Sequence, residues 1–209
     1  RTMLLNAVRG HLVEFGIIAP QGPCKVMEMI TNLREIEAPG LPEITRSVVL
    51  SLGLQRDALA REIHAQERQL LAWHRQDTAS QRLETRPGVG IITGTALAAS
   101  VPDPSMFRSG RQFAAFLGLM PRQNSSGGKD RLGHISKMGD GYLRRLLVVG
   151  ATSVIRRAET NPSATGVLVR SLLTRKPVRV TTVAIANKTA RIAWAVLARG
   201  ETYRAPAMA

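Results

Sequence analysis

Apolar positions recur at three- and four-residue spacing through most of the chain, so helices dominate its reading. Met3, Leu4, Val8, Leu12 and Phe15 predict a helix over 2–15, with Gly16 as a stop. Residues 19–23 form a rigid Pro/Gly turn. A second helix follows over 24–37, with Val26, Ile30 and Leu33 on one side, ended by Pro39, Gly40 and Pro42. Residues 43–84 lack proline, and Gly53 is their only glycine. Val49, Leu52, Leu59, Ile63, Leu70 and Trp73 fit the a and d positions of a heptad, which Arg56, Gln66 and Asp77 interrupt. One long helix with a weak coiled-coil seam is expected there, packed within the chain or against a second subunit.

Beyond that helix the pattern shortens. Residues 83–101 read as a helix end, a tight Pro87-Gly88-Val89-Gly90 turn and a helix of small residues, the outline of a helix-hairpin-helix. Asp103 precedes Pro104 as a cap, and Ser109 with Gln112 forms a capping-box pair for a helix that buries Phe113, Phe116 and Leu117 and stops at Gly118. Residues 119–139 lose the helical period. Asp140 then caps a helix through Arg157, with Leu143, Leu146, Leu147 and Val154 inward and Arg144, Arg145, Arg156 and Arg157 at positions open to solvent. Helices over 163–174 and 179–197 complete the pattern; Ile185, Thr189, Ile192, Ala193 and Val196 form the buried stripe of the last, with Trp194 in the core. Strand signals are weak throughout. The expected class is all-α: a helical linker and coiled-coil region over 1–84, a C-terminal domain over 85–200 carrying a Gly-rich loop, and a flexible tail over 201–209.

Charge changes this picture. The chain of 209 residues carries a formal net charge of +14. Residues 1–104 hold 11 Lys/Arg against 11 Asp/Glu, whereas residues 105–191 hold 16 against 3. A neutral scaffold joined to a basic module points to a polyanionic partner, nucleic acid first and an anionic lipid surface second. The single Cys24 excludes a disulfide framework and fits a reducing compartment. No apolar run reaches the roughly 18–20 residues of a membrane span. The first residues make a poor signal peptide, and they open inside a helical pattern without an initiating methionine. The expectation is a chain that begins partway through a larger protein.

Candidate chemistry concentrates in residues 121–157. Ser125 and Ser126 precede Gly127-Gly128, with Lys129 and Arg131 just after, Arg122 before, and Lys137 and Arg144 beyond. Flexible presentation of a hydroxyl among cations suits a nucleophile attacking a phosphate; it equally suits a passive anion-binding loop or a basic linker. Gly88 and Gly90 could let backbone N–H groups approach a phosphate, or could only reverse the chain. His134 could act as a base or bind phosphate, though a lone loop histidine is ordinarily a surface group. His11, His64 and His74 are scattered without partners at metal-ligand spacing. A two-metal nuclease needs clustered carboxylates, and the basic half offers only Asp130, Asp140 and Glu159, each among cations. The GGKD run lacks the spacing of a nucleotide-binding P-loop.

Five stretches carry a resemblance. PGVG at 87–90, FAAFLGLMPRQNSSGGKDRLGHISKMGD at 113–140, YLRRLLVVGA at 142–151, the opening RTMLLNAVRGHLVEFGIIAPQG and the late VAIANKTARIAWAVL resemble the transposases of the insertion-sequence 110 family, most closely its 1111 subgroup. The resemblance implies a DNA recombinase built from an acidic RNase-H-like domain, a coiled-coil region and a C-terminal domain with a serine nucleophile, guided by a structured RNA in a dimer or tetramer. It implies a bacterial cytoplasmic, nucleoid-associated protein. The family's Ser-Gly pattern falls on Ser126, with Ser125 as the fallback. Arg122, Lys129, Arg131, Lys137, Arg144 and Arg145 would then bind nucleic-acid phosphates together with Gly88 and Gly90. The RNase-H-like domain would precede Arg1, so no metal ligands are expected in these residues, and Mg2+ only with that domain. The chain by itself would then be inactive. The alternative is a non-catalytic helical module that binds DNA or RNA.

Overall fold

The computed structural model describes residues 1–35, 40–125, 129 and 131–205. Its elements are helical apart from one small hairpin, as the spacing predicts. Two compact units emerge, residues 1–69 and 70–209.

In the first unit, α1 (Thr2–Val13) and α2 (Pro23–Glu35) pack with the start of α3 (Glu43–Gln76) around Leu5, Val8, Leu12, Val26, Ile30, Leu33 and Val49. Gly53 is needed for closeness: a Cβ there would stand 2.9 Å from Ile30 Cγ2. Arg46 donates from Nε and one terminal nitrogen to the Leu33 carbonyl, satisfying an acceptor in the last turn of α2. Of the residues expected to end α2, Gly40 has φ +96°, whereas Pro39 lies outside the described residues. Residues 54–69 of α3 include no buried side chain, and Leu54 and Leu59 are exposed.

The expected single helix over 43–84 is two. Asp77 accepts from Ser80 N at 2.6 Å and caps a new helix, α4 (Thr78–Glu84). An aspartate at this position offers the backbone N–H groups a better acceptor than helix continuation does. His74 is buried beside the break, with Nδ1 2.7 Å from Ser80 Oγ and Nε2 2.8 Å from Glu84 Oε2. The ring thus bridges the last turn of α3 to α4.

The second unit continues with α5 (Ile91–Ser100), a 3-10 turn over Pro104–Met106, α6 (Gly110–Phe116), the hairpin strands β1 (Pro121–Gln123) and β2 (Leu132–Ile135), α7 (Gly141–Arg156), α8 (Ala164–Leu173) and α9 (Val178–Arg199). The long α9 packs against α4, α6, α7 and α8. Leu83, Leu97, Phe113, Leu117, Leu143, Leu147, Val169 and Ile185 are among the fully buried side chains between them. Trp194 is half-buried against this core and donates Nε1–H to Pro104 O. The expected caps form: Asp103 accepts from Ser105 N, Ser109 from Gln112 N, and Asp140 from Tyr142 N and Leu143 N. Gln112 reaches back to Arg108 N, one residue earlier than a capping box requires.

Candidate functional site

The described residues of the stretch 119–139 form more regular structure than its lack of helical period suggests. β1 and β2 pair antiparallel, Pro121 opposite Ile135 and Gln123 opposite Leu132, with an irregularity between. The strands have three and four residues, and β1 is exposed along its length, so no alternation of apolar and polar residues announces them. Pairing continues inward as Ser136 N donates to Met120 O and Lys137 N to Gly118 O, and outward as Asn124 N donates to Arg131 O.

The base of the hairpin is clamped. Gly118 and Gly139 both have positive φ, and a Cβ on either would collide with backbone across the hairpin's base: that of Met138, beyond β2, for Gly118, and that of Phe116, the last residue of α6, for Gly139. Arg144, reaching from the first turn of α7, donates to Leu117 O at 2.9 Å and Met138 O at 3.4 Å. It is half-buried, not fully open as its helical position suggests, because the last carbonyls of α6 lack helical partners. Arg122 is exposed and donates to Ser136 O. These two arginines therefore hold the hairpin's shape.

The remaining cations differ. Lys129, Arg131, Lys137 and Arg145 are exposed, and their side chains enter no ion pair among the described residues. The ion pairs present there join Arg56 to Asp57, His64 to Glu67 and His74 to Glu84, all within residues 1–104. The positive charge of residues 105–191 thus has no internal neutralisation among the described residues. Lys137 has φ +55°, a left-handed conformation that a side chain disfavours by roughly 1–2 kcal/mol. His134 sits exposed on β2.

Of the two serines, Ser126 lies outside the described residues, as do Gly127, Gly128 and Asp130. Ser125 is described, and its Oγ accepts from Arg131 N at 3.1 Å. Among the described residues no three His, Cys, Asp or Glu side chains converge to hold a metal ion.

Gly88 and Gly90 part company. Gly88 has φ +89° and is pressed against α7 at Gly150, whereas a Cβ on Gly90 would meet nothing within 4 Å. Gly90 is exposed and caps α5 without a side chain.

Sequence reasoning overlooked Arg86 beside this turn. It is 1% exposed, donates to Thr165 Oγ1 and lies over the Tyr203 ring at 4.8 Å, while Nε and one terminal nitrogen find no acceptor. Burial pushes its guanidinium below the ordinary value, with Tyr203 opposing. A polar residue before Pro-Gly gives no sequence signal of this burial.

Comparison with known proteins converges on the same stretch. The sequence profile of the transposase IS116/IS110/IS902 family matches residues 80–165. The chain is 42% identical over 205 residues to a putative transposase, y4pF/y4sB, of Sinorhizobium fredii, covering 98% of this chain and 52% of that protein. It is 45% identical over 205 residues to a probable family 20 transposase of Pseudomonas aeruginosa, covering 98% and 61%. The transposase for insertion sequence element IS1111A of Coxiella burnetii is 37% identical over 204 residues, covering 98% and 56%. The chain therefore spans between about half and three-fifths of the length of these curated relatives.

Proposed function

The chain belongs to the IS116/IS110/IS902 family of transposases, and on that premise we propose that it is the DNA-binding, nucleophile-bearing part of a DNA recombinase. The observation that carries this reading is the clamped hairpin. Arg144 and the glycine pair at 118 and 139 hold the base of a hairpin whose sequence carries two adjacent serines, and its exposed Lys129, Arg131 and Lys137 enter no ion pair among the described residues. A loop built only to connect α6 to α7 requires none of these parts.

In the proposed step, Ser126 Oγ attacks a backbone phosphorus. The Oγ–P bond forms as the bond from phosphorus to one deoxyribose oxygen breaks. The Oγ proton passes to solvent, and the freed sugar oxygen takes up a proton. The phosphodiester energy is kept in the serine ester, so a free DNA hydroxyl can later displace the serine and join a new strand. Lys129, Arg131 and Lys137 neutralise charge on the attacked phosphate, and Arg145 contacts the flanking backbone. Arg122 and Arg144 act by positioning the loop. Gly90 offers its helix start to a phosphate, with Gly88 setting the turn.

Ser126 is preferred to Ser125 because it directly precedes Gly127, matching the family's Ser-Gly pattern. Carboxylates able to hold Mg2+ would come from a further acidic domain. A structured guide RNA and self-association through the exposed middle of α3 complete the proposed assembly. The second reading, a helical nucleic-acid-binding module without catalysis, uses the same uncompensated charge and needs no serine.

Ser126→Ala separates the two. In a chimera joining this chain to the part of the Pseudomonas relative that it does not match, the recombinase reading expects the variant to bind DNA normally and form no covalent adduct. An adduct that survives both Ser126→Ala and Ser125→Ala, or no adduct from the unmutated chimera with guide RNA and Mg2+, refutes the nucleophile.

A further inference from the structure

A second basic surface lies apart from the serines. Between α6 and the outward face of α9 runs an open groove of about 820 Å³. Ser109, Gly110 and Arg111 form one wall, and Asn187, Lys188 and Arg191 the other; no acidic residue lines it. Arg111, Lys188 and Arg191 are exposed, and none makes a side-chain hydrogen bond or ion pair among the described residues.

We propose that this groove docks the phosphodiester backbone of duplex DNA and leads it toward the serine hairpin. The proposal rests on the reading of the chain as a DNA-handling protein, but on different residues.

Three observations support it. First, the walls of the groove are packed closely against each other. Gly110 lies so close to α9 that a Cβ would stand 2.9 Å from Arg191 O and 3.1 Å from Arg191 Cα. That approach brings Arg111 to the wall opposite Lys188 and Arg191, which stand three residues apart on one helical face. Second, the groove is joined to the hairpin. Asn187 donates from Nδ2 to Leu119 O at 3.2 Å, two residues before β1 begins. Third, the groove suits a backbone and not unstacked bases. Trp194 is its one aromatic lining residue, half-buried and tied to the chain through its N–H to Pro104 O, so the groove carries no row of exposed aromatic rings on which successive bases could stack. Cations without aromatics recognise phosphates, and phosphate contacts position a duplex without reading its sequence.

Each phosphate neutralised contributes about 0.9 to the slope of log affinity against log salt. Anisotropy titrations of the full chain with a labelled random-sequence DNA duplex over a salt series therefore test the groove. Lys188→Gln/Arg191→Gln should weaken binding by about tenfold or more and flatten the slope by roughly two. Arg111→Gln, on the opposite wall, should flatten it by about one. Arg61→Gln/Arg68→Gln removes equal charge from α3 and should leave the slope unchanged. All four substituted positions on the groove and control pairs are exposed, and thermal unfolding checks that each variant folds. The groove is overturned if its variants keep the unmutated slope, if the α3 pair flattens it equally, or if an RNA duplex displaces the DNA at lower concentration than DNA itself. If the unmutated chain binds DNA and only the groove variants are silent, the groove fails while the broader reading stands. If the unmutated chain binds no duplex, both fail.

Discussion

Gly88 and Gly150 meet backbone to backbone. A Cβ at Gly88 would stand 2.8 Å from Val154 Cγ2 and 3.0 Å from Gly150 O, and a Cβ at Gly150 would collide with Gly88 O. The Pro-Gly-Val-Gly turn is thereby seated on α7, the helix that also carries Arg144.

Gly150→Ala should cost about 1–3 kcal/mol, because the overpacked side chain can be accommodated only by moving the turn or the helix. Gly90→Ala meets open space at φ −101° and should cost only about 0.5–1 kcal/mol, as alanine is a poorer N-cap than glycine for α5. Urea unfolding of the two variants gives the comparison. If Gly90 serves a phosphate, its variant loses more DNA affinity than that small capping cost explains while the protein stays folded.

The neighbouring arginines of α7 should separate in the same way. Arg144→Ala removes charge-assisted bonds to Leu117 O and Met138 O and should destabilise the fold by about 1.5–3 kcal/mol. Arg145→Ala removes an exposed cation, so stability should hold within about 0.5 kcal/mol while DNA affinity falls. Thermal unfolding and DNA titration on both variants check the division.

Lys137→Gly relieves a left-handed backbone that a side chain disfavours, and it frees the unfolded chain by a similar amount. Stability should move by no more than about 1 kcal/mol. DNA affinity should drop, with the salt slope smaller by about one. A large stability loss would mean that the lysine side chain serves folding instead of phosphate.

Arg86→Met should leave the protein as stable or raise its stability by about 1 kcal/mol. The buried guanidinium has one hydrogen bond and one aromatic face against two nitrogens without acceptors. Methionine fills much of the same space without desolvating a charge. A drop in melting temperature would show that Thr165 and Tyr203 repay the burial.

The helical class, most helix positions and the caps at Asp103, Ser109 and Asp140 were legible because each depends on local spacing or on one side chain near its own backbone. Asp77 was one of three residues interrupting the heptad, along with Arg56 and Gln66, so it did not stand out as a helix break; only the Ser80 N–H shows which interaction wins. The β1–β2 pairing was not legible, since strands of three and four residues stand out neither by period nor by composition. The roles of Arg144 and Arg122 were hidden for a related reason. A helical wheel places an arginine outward, and nothing in the sequence reveals carbonyls 27 residues earlier at Leu117 or 14 residues later at Ser136. The α6–α9 groove needs two helices far apart in the chain to meet, as at Gly110 and Arg191, so charge counting registered its cations only as part of a basic half.

In the proposed step Ser126 is the residue that becomes joined to DNA. The most direct test of that step traps the chimera on a nicked DNA duplex with guide RNA and Mg2+, digests the complex, and locates the nucleotide-bearing peptide by mass spectrometry. The account predicts a nucleotide on the peptide containing Ser126, lost in Ser126→Ala and kept in Ser125→Ala. A nucleotide on any residue outside the hairpin, or an unmodified hairpin peptide from a complex that has rejoined DNA, would contradict it.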